Sequence, residues 1–80
     1  MEEKITIWIV TVEYDGSDVK FAESHPFRTK QEAVDCAKKY SDDFVNDYGE
    51  GCCTVDVQDD GIYTFTDDYF VLSKYEKYQI

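Results

Sequence analysis

One stretch of this chain, Thr29 to Tyr48 (TKQEAVDCAKKYSDDFVNDY), carries its apolar residues at helical spacing, and the remainder reads as short strands broken by turn residues. Thr29 and Glu32 form a T-x-x-E capping box, which fixes where the helix starts. On the helical wheel Ala33, Cys36, Ala37, Tyr40, Phe44 and Tyr48 share one stripe, while Glu32, Asp35, Lys39, Asp42 and Asn46 lie opposite. A lone one-sided helix must bury its stripe on a sheet. Gly49 is placed to end the helix with a positive φ, and Gly51 keeps the following connection flexible.

The strands follow from β-branched and aromatic density. Lys4 to Tyr14 (KITIWIVTVEY) is the first, with a change of parity near Ile9 that predicts a bulge or a segment covered on both faces. Asp15-Gly16 signals a hairpin, and a two-residue loop there pairs Val12 with Val19 and Val10 with Phe21, giving a second strand from about Val19 to Ser24. His25-Pro26-Phe27 reads as the crossover to the helix, because proline cannot donate to a ladder.

After the helix, Cys53, Val55 and Val57 alternate with Thr54, Asp56 and Gln58. A three-residue loop ending in Gly61 matches Val57 with Tyr63 and Val55 with Phe65, whereas a two-residue loop sets the valines against threonines, so the longer loop is expected. Asp67-Asp68 turns the chain again, placing Phe65 near Phe70 and Tyr63 near Leu72, and the last strand runs from about Tyr69 to Tyr78. The order β-β-α-β-β-β predicts one α+β domain over residues 1–80, an antiparallel sheet of about five strands with the helix across one face. The free face is expected to carry Tyr69, Val71, Tyr75, Thr64 and Thr66, either as a solvated surface or as an interface built on Tyr69 and Tyr75.

A chain of 80 residues buries only roughly 60 to 65% of its unfolded surface, so the core must be compact, and seven Tyr with five Phe supply it. Against that stands a formal net charge of −10, from 18 acids and 8 bases. Such a charge repels nucleic acid and anionic membranes and attracts basic protein surfaces. The segment MEEKITIW has acids where a secretory signal has bases, and no apolar run approaches the ~20 residues of a membrane span. Three cysteines, Cys36 and the adjacent pair Cys52 and Cys53, form no disulfide framework. A cytoplasmic protein with packed thiols is expected.

The acids are unevenly placed. Between Ser41 and Ser73 there is no Lys or Arg but there are nine acids: Asp42, Asp43, Asp47, Glu50, Asp56, Asp59, Asp60, Asp67 and Asp68. Turns favour Asp for local hydrogen bonding, which accounts for Asp59, Asp60, Asp67 and Asp68. Asp42, Asp43 and Asp47 are different, because the C-terminal end of a helix favours cations; Arg28 and Lys30 are equally miscast at its N-terminal end. Each exposed acid there costs about 0.3 to 1 kcal/mol, so a role other than stability is expected for them.

Asp56, Asp60, Gly61 and Asp67 fit positions 1, 5, 6 and 12 of a calcium loop, but strand-like flanks and the poor ligand Gln58 argue against it. His25, Cys36, Cys52 and Cys53 lack zinc-ligand spacing, and adjacent cysteines on a strand point to opposite faces. A Cys/His nucleophile pair has no orienting third group, and no phosphate loop or nucleophile elbow is present. The expectation is a non-enzymatic binding protein without cofactor or metal.

With its base-free run of acids from Asp42 to Asp68 on a small α+β frame, the chain resembles the phage-encoded inhibitors that imitate nucleic acid, among them anti-CRISPR and anti-restriction proteins. The resemblance is compositional and covers about the middle third of the sequence. It implies that carboxylates spaced about 6 Å apart stand in for phosphates in the basic channel of a nuclease complex. Two other functions fit the same features: an antitoxin or immunity-type inhibitor of one basic enzyme, and a housekeeping oligomer, in the simplest case a homodimer, that uses the tyrosine face.

Overall fold

The computed structural model describes residues 5–79, and within them the expected order holds. Strands β1 (Thr6–Asp15) and β2 (Lys20–Phe27) precede helix α1 (Lys30–Tyr48), and a single 3-10 turn (Glu50–Cys52) leads into β3 (Thr54–Gln58), β4 (Gly61–Phe65) and β5 (Phe70–Gln79). All five strands form one antiparallel sheet in the order β2-β1-β5-β4-β3. The two long strands, β1 and β5, are neighbours at its centre, and the molecule is elongated, 52 × 20 × 15 Å. Lys4, expected to open the first strand, lies outside the described residues.

Helix α1 begins where its capping box places it. The Thr29 hydroxyl accepts from the Glu32 N–H at 3.2 Å and donates to the Glu32 carboxylate at 3.0 Å. The helix ends at Gly49, whose φ of 92° is unfavourable for other residues and whose N–H closes onto the Val45 carbonyl at 2.8 Å. Ala33, Ala37 and Phe44 are buried as the stripe predicts, together with Ser41, which the apolar pattern omits. They pack on Val10 and Val12 of β1, Ile62 of β4, and Val71 and Tyr75 of β5. Among the described residues no buried side-chain nitrogen or oxygen lacks a hydrogen-bond partner.

Three expectations about the strands are corrected. First, β1 keeps one register along its length with both neighbours, so no bulge forms at Ile9; the parity change instead leaves Ile7 and Ile9 half-buried on the face away from the helix. Second, the β1–β2 turn is four residues, Gly16 to Val19, so Val12 faces Glu23 and Val10 faces His25 instead of Val19 and Phe21. Aromatic packing accounts for the slip: it sets Tyr14 directly opposite Phe21, the rings stacking at 5.1 Å, while Phe21 also meets Tyr40 of α1 at 6.3 Å. Strand β2 then runs through His25-Pro26-Phe27 and does not stop at Ser24. Proline is tolerated there because β2 is an edge strand.

The third correction changes the surface. The β3–β4 turn is the two-residue Asp59-Asp60, which sets Val57 against Ile62 and Val55 against Thr64. Thr64 is buried because its hydroxyl is 2.6 Å from that of Ser41, so the polar pair is satisfied inside the core. A one-residue shift moves every side chain of a strand to the other face. Thr64, Val71 and Tyr75 therefore lie under the helix, and Tyr75 is only 5% exposed, so it cannot belong to an outer interface as expected. The open face carries Tyr63, Phe65, Phe70 and Leu72 instead; Phe65 does pair with Phe70 and Tyr63 with Leu72 as expected.

Candidate functional site

The acids of the β1–β2 turn, the end of α1 and the β4–β5 turn meet at one end of the sheet, and Tyr48 holds them there. Its ring packs on Phe44 at 4.6 Å and stacks on Tyr69 at 5.3 Å, while its hydroxyl accepts from the Ser17 N–H at 2.8 Å. The turn can come this close because Gly16 lacks a side chain: a Cβ there would lie 2.7 Å from the Tyr48 hydroxyl and 2.8 Å from the Tyr14 ring. One cleft, on the hairpin side of Tyr48, is lined by Tyr14, Ser17, Asp18 and Asp47. A second, on its other side, is lined by Cys52, Thr66, Asp67, Asp68 and Tyr69.

Local hydrogen bonds fix the two acidic turns. The Thr66 hydroxyl accepts from the N–H groups of Asp68 (3.3 Å) and Tyr69 (3.0 Å), and the Thr66 N–H donates to the Tyr69 carbonyl at 2.8 Å. Asp67 and Asp68 are thereby held out in solvent. On the opposite turn the Gly16 N–H donates to the Val19 carbonyl at 2.8 Å, leaving Ser17 and Asp18 exposed at the tip.

The field of these acids is felt by Tyr14, whose hydroxyl is 3.4 Å from Asp47. Burial first, and then the Asp47 charge, push its pKa up to about 12, with Asp43 adding in the same sense. Lys20 sits 3.9 Å from Asp15 on the same hairpin, and the last turn of α1 has no base.

Three of the nine acids singled out in the sequence, Asp47, Asp67 and Asp68, thus belong to this end, with Asp43 one helical turn behind Asp47. Asp42 faces solvent along α1 beside Val45, Asn46 and Glu50. Asp56 stands on the open face of β3, accepting from the Gln58 amide at 2.9 Å. Asp59 and Asp60 cap the opposite end of β4, where the Asp60 carbonyl accepts from the Tyr75 N–H. Asp18 belongs to the acidic end but stands outside the base-free run; its signal is the D-G-S-D turn of the first hairpin.

The helix also shares its dipole penalty unevenly. Only Asp47 lies in the last turn of α1, and the macrodipole fades beyond it, so Asp42 and Asp43 bear little of the cost expected for all three. At the N-terminal end, Lys30 is drawn over the Trp8 ring, 5.8 Å from its centroid.

A second polar cluster, not foreseen, joins β2 to α1. His25 Nε2 is 3.0 Å from Glu23 Oε2 and 2.9 Å from the Tyr40 hydroxyl, which donates to the same carboxylate oxygen at 3.0 Å. Burial and the Glu23 hydrogen bond raise the Tyr40 pKa to about 12. Burial likewise pushes the Cys36 thiol up, the opposite of what an activated nucleophile needs. Cys36 and Cys53 pack against the core, whereas Cys52 is exposed; all three are free thiols.

Among the described residues no three of His, Cys, Asp and Glu come together as a metal-binding group, and no helix is long and apolar enough to cross a membrane. Comparison with protein-family models, with curated proteins and with solved structures gives no match.

Proposed function

We propose that this protein is an inhibitor that presents its acidic end to a basic protein surface in place of nucleic acid, with the nucleic-acid channel of a CRISPR or other nuclease defence complex as its target. The observation that supports this reading is the convergence of Asp18, Asp47, Asp67 and Asp68 from three separate segments around one tyrosine. Turns alone scatter acids over a surface. Here aromatic stacking and a close glycine approach hold like charges together, which raises the local field and steers a basic partner.

The test is competition between this protein and DNA for a purified nuclease effector, over a range of salt concentrations. Binding should weaken steeply with salt and exclude DNA. Reversing Asp67 and Asp68 to Lys should slow association at least about tenfold, because a steering attraction becomes a repulsion. Salt-independent affinity, or simultaneous binding of DNA and inhibitor, would refute mimicry.

A second reading, an oligomer, has its own observation: the open face carries Tyr63, Phe65, Phe70 and Leu72 in contact with one another and, among the described residues, with no element over them. Sedimentation distinguishes the two. A dimer that persists in high salt and is lost in Phe70→Lys favours the oligomer.

A further inference from the structure

We infer that the outer edge of β3 is a docking site for an extended, basic segment of a partner protein, which joins the sheet as a sixth strand beside Thr54–Gln58. This goes beyond the acidic end and gives a role to acids that do not reach it.

The two edges of the sheet are built differently. Strand β2 is guarded by Pro26, which cannot donate, and by the Glu23, His25 and Tyr40 cluster that ties it to the helix. Strand β3 has neither device. All five of its residues are exposed, and β4 pairs with only one of its sides. Helix α1 packs over β5, β4, β1 and β2, so Val55 and Val57 lie beyond its reach at 48% and 67% exposure although they stand on the helix side of the sheet. A short strand with free amides, two uncovered valines and no proline is a template for strand addition.

Charge selects the occupant. Asp56 points to the other face from the valines, and Asp59 and Asp60 follow directly in the turn. Antiparallel pairing of two copies about Asp56 would oppose Asp56 to itself and carry each Asp60 toward the Glu50–Cys52 turn of the other, a repulsive arrangement. The same charge that opposes self-pairing favours a strand with Lys or Arg on one side and apolar residues on the other. That alternation places a base against Asp56 and apolar side chains against Val55 and Val57.

The probe is a short capped peptide alternating valine and lysine, titrated into the isotopically labelled protein. Backbone amide shifts and exchange protection should appear at Thr54–Gln58, and a valine-glutamate peptide should produce neither. Asp56→Lys should weaken the lysine peptide by about five-fold and allow the glutamate peptide to bind. Asp67→Lys, the same change of net charge at the other site, should leave binding unchanged. The proposal is overturned if the shifts fall at Asp47, Asp67 and Asp68, if Asp67→Lys matches the effect of Asp56→Lys, or if the free protein already protects β3 by dimerising.

Discussion

Replacing Thr64 with valine removes one hydroxyl while keeping the shape of a side chain that is wholly buried between β4 and α1. The hydroxyl is 2.6 Å from that of Ser41, itself 4% exposed, so no water replaces the lost partner. The loss of one net hydrogen bond and the stranding of the Ser41 hydroxyl together cost about 1 to 3 kcal/mol. Ser41 can turn back to the carbonyl one helical turn earlier, which sets the lower end of that range.

For a domain of this size the change lowers the melting midpoint by about 5 to 15 °C. Ser41→Ala should cost a similar amount, but the double variant should cost less than the two singles added, because removing both partners leaves no orphan. Urea unfolding followed by circular dichroism, with the slope unchanged, measures all three. A neutral Thr64→Val, or strict additivity, would mean that Thr64 faces solvent and that β3 and β4 pair in the register matching Val57 with Tyr63.

Three further outcomes are expected. Asp47→Asn should stabilise the protein by about 0.3 to 1 kcal/mol at low salt, and less at high salt, since it removes an anion from the helix C-terminus; denaturant midpoints at two salt concentrations check this. Tyr14 and Tyr40, each ordinarily near 10.0, titrate at about 12 in the fold, so the neutral phenols contribute stability that is complete below pH ~10 and is lost as the pH rises through about 12. Unfolding across that window, with Tyr14→Phe and Tyr40→Phe as controls, should show the loss and its removal. Tyr48→Leu should keep every charge yet lower partner affinity, measured by calorimetry, because the Ser17 hydrogen bond and the Tyr69 stack that gather the turns are gone.

Much of the fold was legible because local signals agreed with tertiary packing. The Thr29–Glu32 box, the stripe from Ala33 to Tyr48 and the positive φ at Gly49 are each written in adjacent residues. Registers were less legible, since they depend on partners far away in sequence. Apolar matching favoured Val12 with Val19, but no local rule reports that Tyr14 stacks on Phe21 while Phe21 meets Tyr40. It also disfavoured burying Thr64, because the hydroxyl that satisfies it belongs to Ser41 on the helix. The acidic end was half legible for the same reason. A run without bases marks Asp47, Asp67 and Asp68, but Asp18 joins them only through Tyr48 and Gly16.

The Tyr48 contacts bear on the order in which costs are met. Gathering carboxylates from three segments is a repulsive act, and in a floppy protein it would have to occur as the partner arrives, subtracting from the binding free energy. Here the stack on Tyr69 and the hydrogen bond from Ser17 complete it during folding. The acidic end is therefore preorganised: under the proposed function a basic partner would meet charges already assembled, so less entropy would remain to be lost on contact and more of each attraction would be retained in the complex.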